Sequence, residues 1–122
     1  MNHEMFLQRY ELALATHSWE AIEPLIDDDA CFLFSDGTFI GKAAIEKAIR
    51  KTFALISNES YWIQNVQWVY VHDDCALCTY IFHWSGVIDG AQREGDGRGT
   101  TLLANTMSGW KIKHEHLGPS AG

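Results

Sequence analysis

The chain has only three cysteines, no apolar run long enough to cross a membrane and no block of basic residues. Each scarcity excludes something. Three cysteines make no familiar disulfide framework. Cys75 and Cys78 form a C-x-x-C, but the segment Cys75-Ala-Leu-Cys78-Thr-Tyr-Ile-Phe has the composition of a strand. A redox motif sits at a strand-to-helix turn, and a zinc knuckle needs a second pair. The thiols therefore read as free and buried. The absence of a long apolar segment excludes a membrane-spanning helix. The opening Met1-Asn-His-Glu lacks the charged and apolar regions of a secretory signal, so the expected compartment is the cytoplasm. A formal net charge of −7, with the acids spread along the chain, argues against nucleic acid and anionic membrane as partners. There is no internal repeat and no low-complexity tract.

What is present is an ordinary globular balance, 47% hydrophobic and 20% charged. The 122 residues suit one domain, residues 1–122, able to bury a core without staples. Helical spacing of Phe6, Leu7, Tyr10 and Leu14 predicts a first helix over 3–17. Ser18 caps a second over 19–26, which Pro24 should distort or shorten. A triple-aspartate turn, 27–29, leads into a strand over 30–34. Asp36-Gly37 predicts a hairpin to a short strand over 38–40. Ile45, Ile49, Phe53 and Ile56 define a third helix over 42–56. The rest reads as strands over 61–72, 75–88, 98–105 and 110–117, with a flexible loop between Asp89-Gly90 and Gly95-Asp96-Gly97 and a frayed tail at 118–122. Around the second of these strands, Cys78, Tyr80, Phe82 and Trp84 face one side; Leu77, Thr79, Ile81 and His83 face the other. Both sides are mostly apolar, so both should be covered.

The last strand, Trp110-Lys-Ile-Lys-His-Glu-His-Leu117, alternates with period two. Trp110, Ile112, His114 and His116 share one side and Lys111, Lys113 and Glu115 the other, with Leu117 closing the run. On this reading the core side ends in two imidazoles. Either they are hydrogen-bonded structural residues, or they floor a cavity.

Several segments together resemble the nuclear transport factor 2-like superfamily, which includes ketosteroid isomerases, SnoaL-like polyketide cyclases and the association domain of calcium/calmodulin-dependent kinase. They are Gln8-Arg9-Tyr10, Trp19-Glu-Ala-Ile22, Asp28-Asp29-Ala30, Gly41-Lys-Ala-Ala-Ile45, Gly97-Arg-Gly-Thr-Thr-Leu and Gly109-Trp-Lys-Ile-Lys-His-Glu-His. The resemblance implies an α+β cone: a curved antiparallel sheet with three N-terminal helices on its concave face and a pocket at the open end. It also implies a homodimer through the outer face of the sheet.

Steroid-isomerase chemistry is not supported. It needs a carboxylate base, a tyrosine and a protonated aspartic acid. Tyr10 matches the tyrosine, but Phe34 stands where the base would be, and Thr101 falls near the second donor. Metal chemistry lacks a third ligand beside His114-x-His116, since His83 should face the opposite side. No metal and no cofactor are expected. The candidate catalytic residues are His114, His116 and Tyr10, with a histidine as base for proton transfer next to a carbonyl, as in isomerases and cyclases. Phe34, Phe82 and Trp84 are candidates for the pocket wall, with Thr101. Arg98, between two glycines, is a candidate anchor for a carboxylate, although its side of the sheet is undetermined. The expected ligand is a small hydrophobic or carboxylate-bearing organic molecule. The competing reading is a non-catalytic binding or association module.

Overall fold

The computed structural model describes residues 1–120; Ala121 and Gly122, the end of the expected tail, lie outside the described residues. Helix α1 spans His3–Ala15 and starts at Asn2, whose side chain accepts from the Met5 amide at 2.8 Å. It ends where His17 takes a left-handed φ of 55°. Helix α2 has one turn, Trp19–Ile22. Pro24 stops it, and a 3₁₀ turn over Glu23–Leu25 replaces the second turn. Helix α3 spans Lys42–Leu55. Among the described residues no helix is long and apolar enough to cross a membrane.

Among the described residues six strands follow the pattern β1 Ile26–Phe34, β2 Gly37–Ile40, β3 Ser57–Val71, β4 Cys75–Ile88, β5 Ala91–Thr106 and β6 Gly109–Pro119. They form one curved, unclosed sheet in the order β2-β1-β6-β5-β4-β3, with the helices on one face. Every neighbouring pair is antiparallel except β1 with β6, where the first strand lies parallel to the last.

Four segments depart from the sequence expectation. Residues 57–60, expected to precede the strand that starts at Tyr61, already belong to β3. The aspartates 27–29 belong to β1 rather than to a turn, in an irregular stretch where the pairing with β6 jumps between Ile26 and Cys31. Lys113 lies 3.4 Å from Asp27 and Lys42 lies 3.2 Å from Asp28. Residues expected as a flexible loop begin β5 instead. The turn is only Asp89 and Gly90, both left-handed at φ 51° and 78°. Gly118 and Pro119, read as tail, complete β6.

The glycines taken for flexibility are there for close approach. Gly95, Gly97 and Gly99 point into the concave face, opposite Trp84, Phe82 and Tyr80 on β4. A Cβ at Gly99 would overlap the Tyr80 ring, and one at Gly97 would lie 2.5 Å from the Phe82 ring. Three aromatic rings thus lie over three bare stretches of backbone. This column sets the face of Arg98: its neighbours point inward, so it points outward.

The core fills the narrow end of the cone. Phe6, Ile22, Ile26, Phe32, Ile45, Leu103 and Ile112 are fully buried there. Toward the wide end the same faces continue but are no longer filled. Ile49, Phe53 and Ile56 of the α3 stripe become cavity wall.

Candidate functional site

A cavity of about 610 Å³ opens between α1, α3 and the concave face of the sheet. Its walls include Phe34, Phe53, Tyr61, Phe82 and Trp84, and Tyr10 and Glu115 also line it. The Tyr61 and Phe82 rings stack at 6.2 Å.

Glu115 is the residue that sequence reasoning missed. Its side was assigned to solvent, but it is only 4% exposed. The reason is a β-bulge. On β5, Leu102 and Leu103 are consecutive; on β6 they face His114 and Ile112, so Lys113 is an extra residue. One extra residue reverses every side chain after it. Ile112 faces the core, Glu115 follows it inward, and His114 and His116 turn outward. Glu115 pairs with the buried Thr101 on one side and with Phe32 on the other.

The carboxyl group of Glu115 is held by hydroxyls alone. Tyr10 donates from α1 to Oε2 at 3.3 Å. Thr101 donates to Oε1 at 3.2 Å, and Tyr80 approaches the same oxygen at 3.5 Å. Tyr80 and Thr101 share a further bond of 2.7 Å. No lysine, arginine or histidine is paired with Glu115 among the described residues. Burial disfavours its charge and pushes its pKa up to about 7; the bonds from Thr101, Tyr10 and Tyr80 pull the other way. Burial, with the carboxylate nearby, raises the phenols of Tyr10, Tyr61 and Tyr80 well above the usual range, so all three stay protonated as donors. A carboxyl poised near neutrality among protonated phenols can take or give a proton at physiological pH.

The residues singled out from sequence separate into two groups. Tyr10, Phe34, Phe82 and Trp84 line the cavity, and Thr101 lies beneath it in the Glu115 network. His114 and His116 do not border it, contrary to the alternation, because of the bulge. His114 lies opposite Leu102 and Cys31 on the outer face. His116 and Arg98 line a separate outer hollow of about 580 Å³ with Thr79, Ile81 and Thr100. Histidines 114 and 116 therefore do not face the Glu115 cavity, and neither does Arg98. The three thiols are free, and burial pushes Cys78 up to about 12. Among the described residues no group of three or more His, Cys, Asp or Glu side chains is placed to hold a metal.

A signal for the bulge was present. Leu117 shares the parity of Glu115, not that of Ile112. Two apolar residues out of phase on one strand imply a slip between them.

The architecture is thus that of an α+β cone with a ligand-sized cavity over a buried acid. The chain belongs to the SnoaL-like domain family, which it matches over residues 4–121, within the nuclear transport factor 2-like superfamily. No curated protein matches it. Among solved structures it is similar to a nuclear transport factor 2-like superfamily protein from Salmonella enterica serovar Typhimurium. The TM-score is 0.88 at 18% identity, covering 97% of this chain and 88% of that one. It is also similar to a candidate dehydratase of the same family from Streptomyces avermitilis, with a TM-score of 0.83 at 14% identity, covering 98% and 94%. A candidate calcium/calmodulin-dependent protein kinase II association domain from Xanthomonas campestris has a TM-score of 0.80 at 18% identity, covering 95% and 82%. At these identities the likeness establishes the fold.

Proposed function

We propose that the concave cavity binds a small organic molecule and that Glu115 moves a proton next to its carbonyl group. The observation that carries this reading is a fully buried carboxyl, without a cationic partner, at the wall of a cavity of about 610 Å³. Burying a carboxylate is costly, and a carboxyl held only by hydroxyls gains little to offset it. A group retained on such terms is a candidate for chemistry.

The base is then Glu115 rather than a histidine. Its carboxylate takes the proton from the carbon beside the carbonyl, and the C–H electron pair moves into the enolate. The Tyr61 hydroxyl, which lines the cavity and stays protonated, donates to the enolate oxygen. Glu115 then returns the proton, to a different carbon in an isomerisation. Alternatively it gives the proton to a hydroxyl that departs as water in a dehydration, the reaction of which the Streptomyces protein is a candidate catalyst.

The test is hydrogen exchange in D2O with a panel of small aryl ketones, followed by loss of the proton signal beside the carbonyl. Wild type should catalyse exchange, with a rate rising through about pH 7 as Glu115 ionises. Glu115→Gln should lower the rate by roughly 10²-fold or more. Equal rates in both proteins would sink the assignment. Binding without exchange in wild type would leave the association-module reading in its place.

We also propose a homodimer through the outer sheet face. Leu77, Thr79, Ile81 and Leu102 lie on that face, half-buried in the single chain, with Trp62 44% exposed beside them. Sedimentation at micromolar concentration should give twice the chain mass, and Ile81→Glu should give the monomer. A monomeric wild type under those conditions would refute it.

A further inference from the structure

The two oxygens of Glu115 are not equivalent. Oε2 has one partner, the Tyr10 hydroxyl at 3.3 Å. Oε1 has two, Thr101 at 3.2 Å and Tyr80 at 3.5 Å. The partners also differ in place. Tyr10 lines the cavity, whereas Thr101 and Tyr80 do not.

Thr101 is the middle member of its group. It is fully buried and lies directly opposite Glu115 on the neighbouring strand. Tyr80 comes from β4, with its ring laid over Gly99 of β5, where a Cβ would overlap it. Its hydroxyl thereby meets Thr101 Oγ1 at 2.7 Å. A threonine hydroxyl has one proton to donate and lone pairs with which to accept. A carboxylate only accepts, so beside ionised Glu115 the Thr101 proton is committed to Oε1. Tyr80 then donates to Thr101. Its alternative, direct donation to Oε1 at 3.5 Å, is at the limit of a hydrogen bond. The result is a directed chain, Tyr80 to Thr101 to Oε1, in which each bond polarises the next.

The chain also constrains the neutral acid. A proton on Oε1 would have to be donated to Thr101, and Thr101 would donate in turn to Tyr80. The buried Tyr80 proton would then have no acceptor among the described residues, which is costly. A proton on Oε2 leaves the chain intact. We propose that Thr101 and Tyr80 hold Oε1 as a permanent acceptor, so that the acid proton of Glu115 sits on Oε2 and is exchanged there with the molecule in the cavity. Thr101 and Tyr80 are positioning residues that act through Glu115. The inference rests on the reading of Glu115 as the proton-transfer group and names the oxygen that performs it.

The other titratable groups around this carboxyl are Tyr10 on α1, Tyr61 on β3 and Cys78 and Tyr80 on β4, all of them held protonated near neutrality by burial. Glu11 on α1 and Glu59 on β3 act on Tyr61 and not on Glu115.

Infrared spectroscopy reads the proton's position without any substrate. Below its ionisation midpoint Glu115 gives a carboxylic-acid C=O band, identified by its loss in Glu115→Gln. With the proton on Oε2 the carbonyl oxygen is Oε1, and donated hydrogen bonds lower its stretching frequency. Thr101→Val should therefore raise the frequency, while Tyr10→Phe leaves it nearly unchanged. Thr101→Val should also raise the ionisation midpoint by about one to two pH units, the loss of one donor to a charged group. Thr101→Ser should restore both readings. Tyr80→Phe should move both in the same direction by less, and should add nothing in the Thr101→Val background. It also serves as the second variant should Thr101→Val not fold. A band that moves in Tyr10→Phe and stays in the other two variants would place the proton on Oε1 and overturn the proposal. An unmoved midpoint in both Thr101→Val and Tyr80→Phe would overturn it too, as would additive effects of the two, which would mean that Tyr80 acts on Glu115 directly. The exchange assay tests separately whether Glu115 transfers a proton at all, so the two readings can fail independently.

Discussion

Glu115→Gln should be more stable than wild type at pH 8, and the difference should vanish at pH 4. In the folded chain burial pushes the carboxyl up to about 7, against its ordinary value of 4.5. Below pH 4.5 it is protonated in both states and contributes no penalty. As pH rises from 4.5 to 7 the unfolded chain releases a proton that the folded chain keeps, so folding becomes less favourable. Above 7 both states are ionised, and the full cost of the buried charge applies. At 1.36 kcal/mol per pKa unit, that cost is about 3 kcal/mol. Glutamine has the same shape and no charge to bury, and its oxygen still accepts from the hydroxyls of Tyr10 or Thr101. The gap between the variant and wild type should therefore open between pH 4.5 and 7 and stay level above. Taking the difference cancels the titration of the other carboxylates. Urea unfolding of both proteins at four pH values measures it. A gap independent of pH would mean that Glu115 is not the buried titrating group described here. Paired with the exchange assay, the result is a separation: one substitution that raises stability and removes proton transfer.

Gly97→Ala should cost about 3 kcal/mol, the upper end of the range for overpacking. The added methyl would overlap the carbonyl oxygen of Gly118 on β6 and lie 2.5 Å from the Phe82 ring. A ring at the end of a side chain can swing aside, but a strand carbonyl moves only with its strand. The shift would separate β5 from β6 at the cavity mouth, beside Leu117 and the Glu115 network. For a chain of this size the melting temperature should fall by roughly 4 °C per kcal/mol, so about 12 °C in all. Ligand binding should weaken too, because Phe82 is wall. A variant melting within about a degree of wild type would show that the glycine column is not required for the close approach of these strands.

Helix α3 illustrates how far the sequence could be read. Ile45, Ile49, Phe53 and Ile56 mark one apolar face, and the helix forms with that face inward. The first part of the stripe meets filled core at Ile45, and the later part meets empty space at Phe53 and Ile56. Hydrophobic spacing reports which side is covered, not whether the space beneath is occupied. Gly95, Gly97 and Gly99 illustrate the converse. Gly95 and Gly97 read as the end of a flexible loop, whereas each of the three makes room for an aromatic ring directly opposite it on β4. That partner is supplied by the neighbouring strand and is not written in the segment itself.

The sequence by itself determined the order of helices and strands, the inward row of Cys78, Tyr80, Phe82 and Trp84, and the membership of an α+β cone. The order and the inward row depend on local periodicity and turn residues, which a single chain segment contains; the cone followed from the resemblance of several segments to a known superfamily. Only the tertiary structure decided which side of β6 faces the cavity. The bulge at Lys113 exists because β6 must match Leu102 and Leu103 on β5 while also pairing with β1, a constraint set by two distant strands at once. That one-residue slip placed His114 and His116 outside and Glu115 inside. It exchanged a pair of imidazoles for a buried carboxyl among three hydroxyls, and so changed the chemistry the cavity can perform.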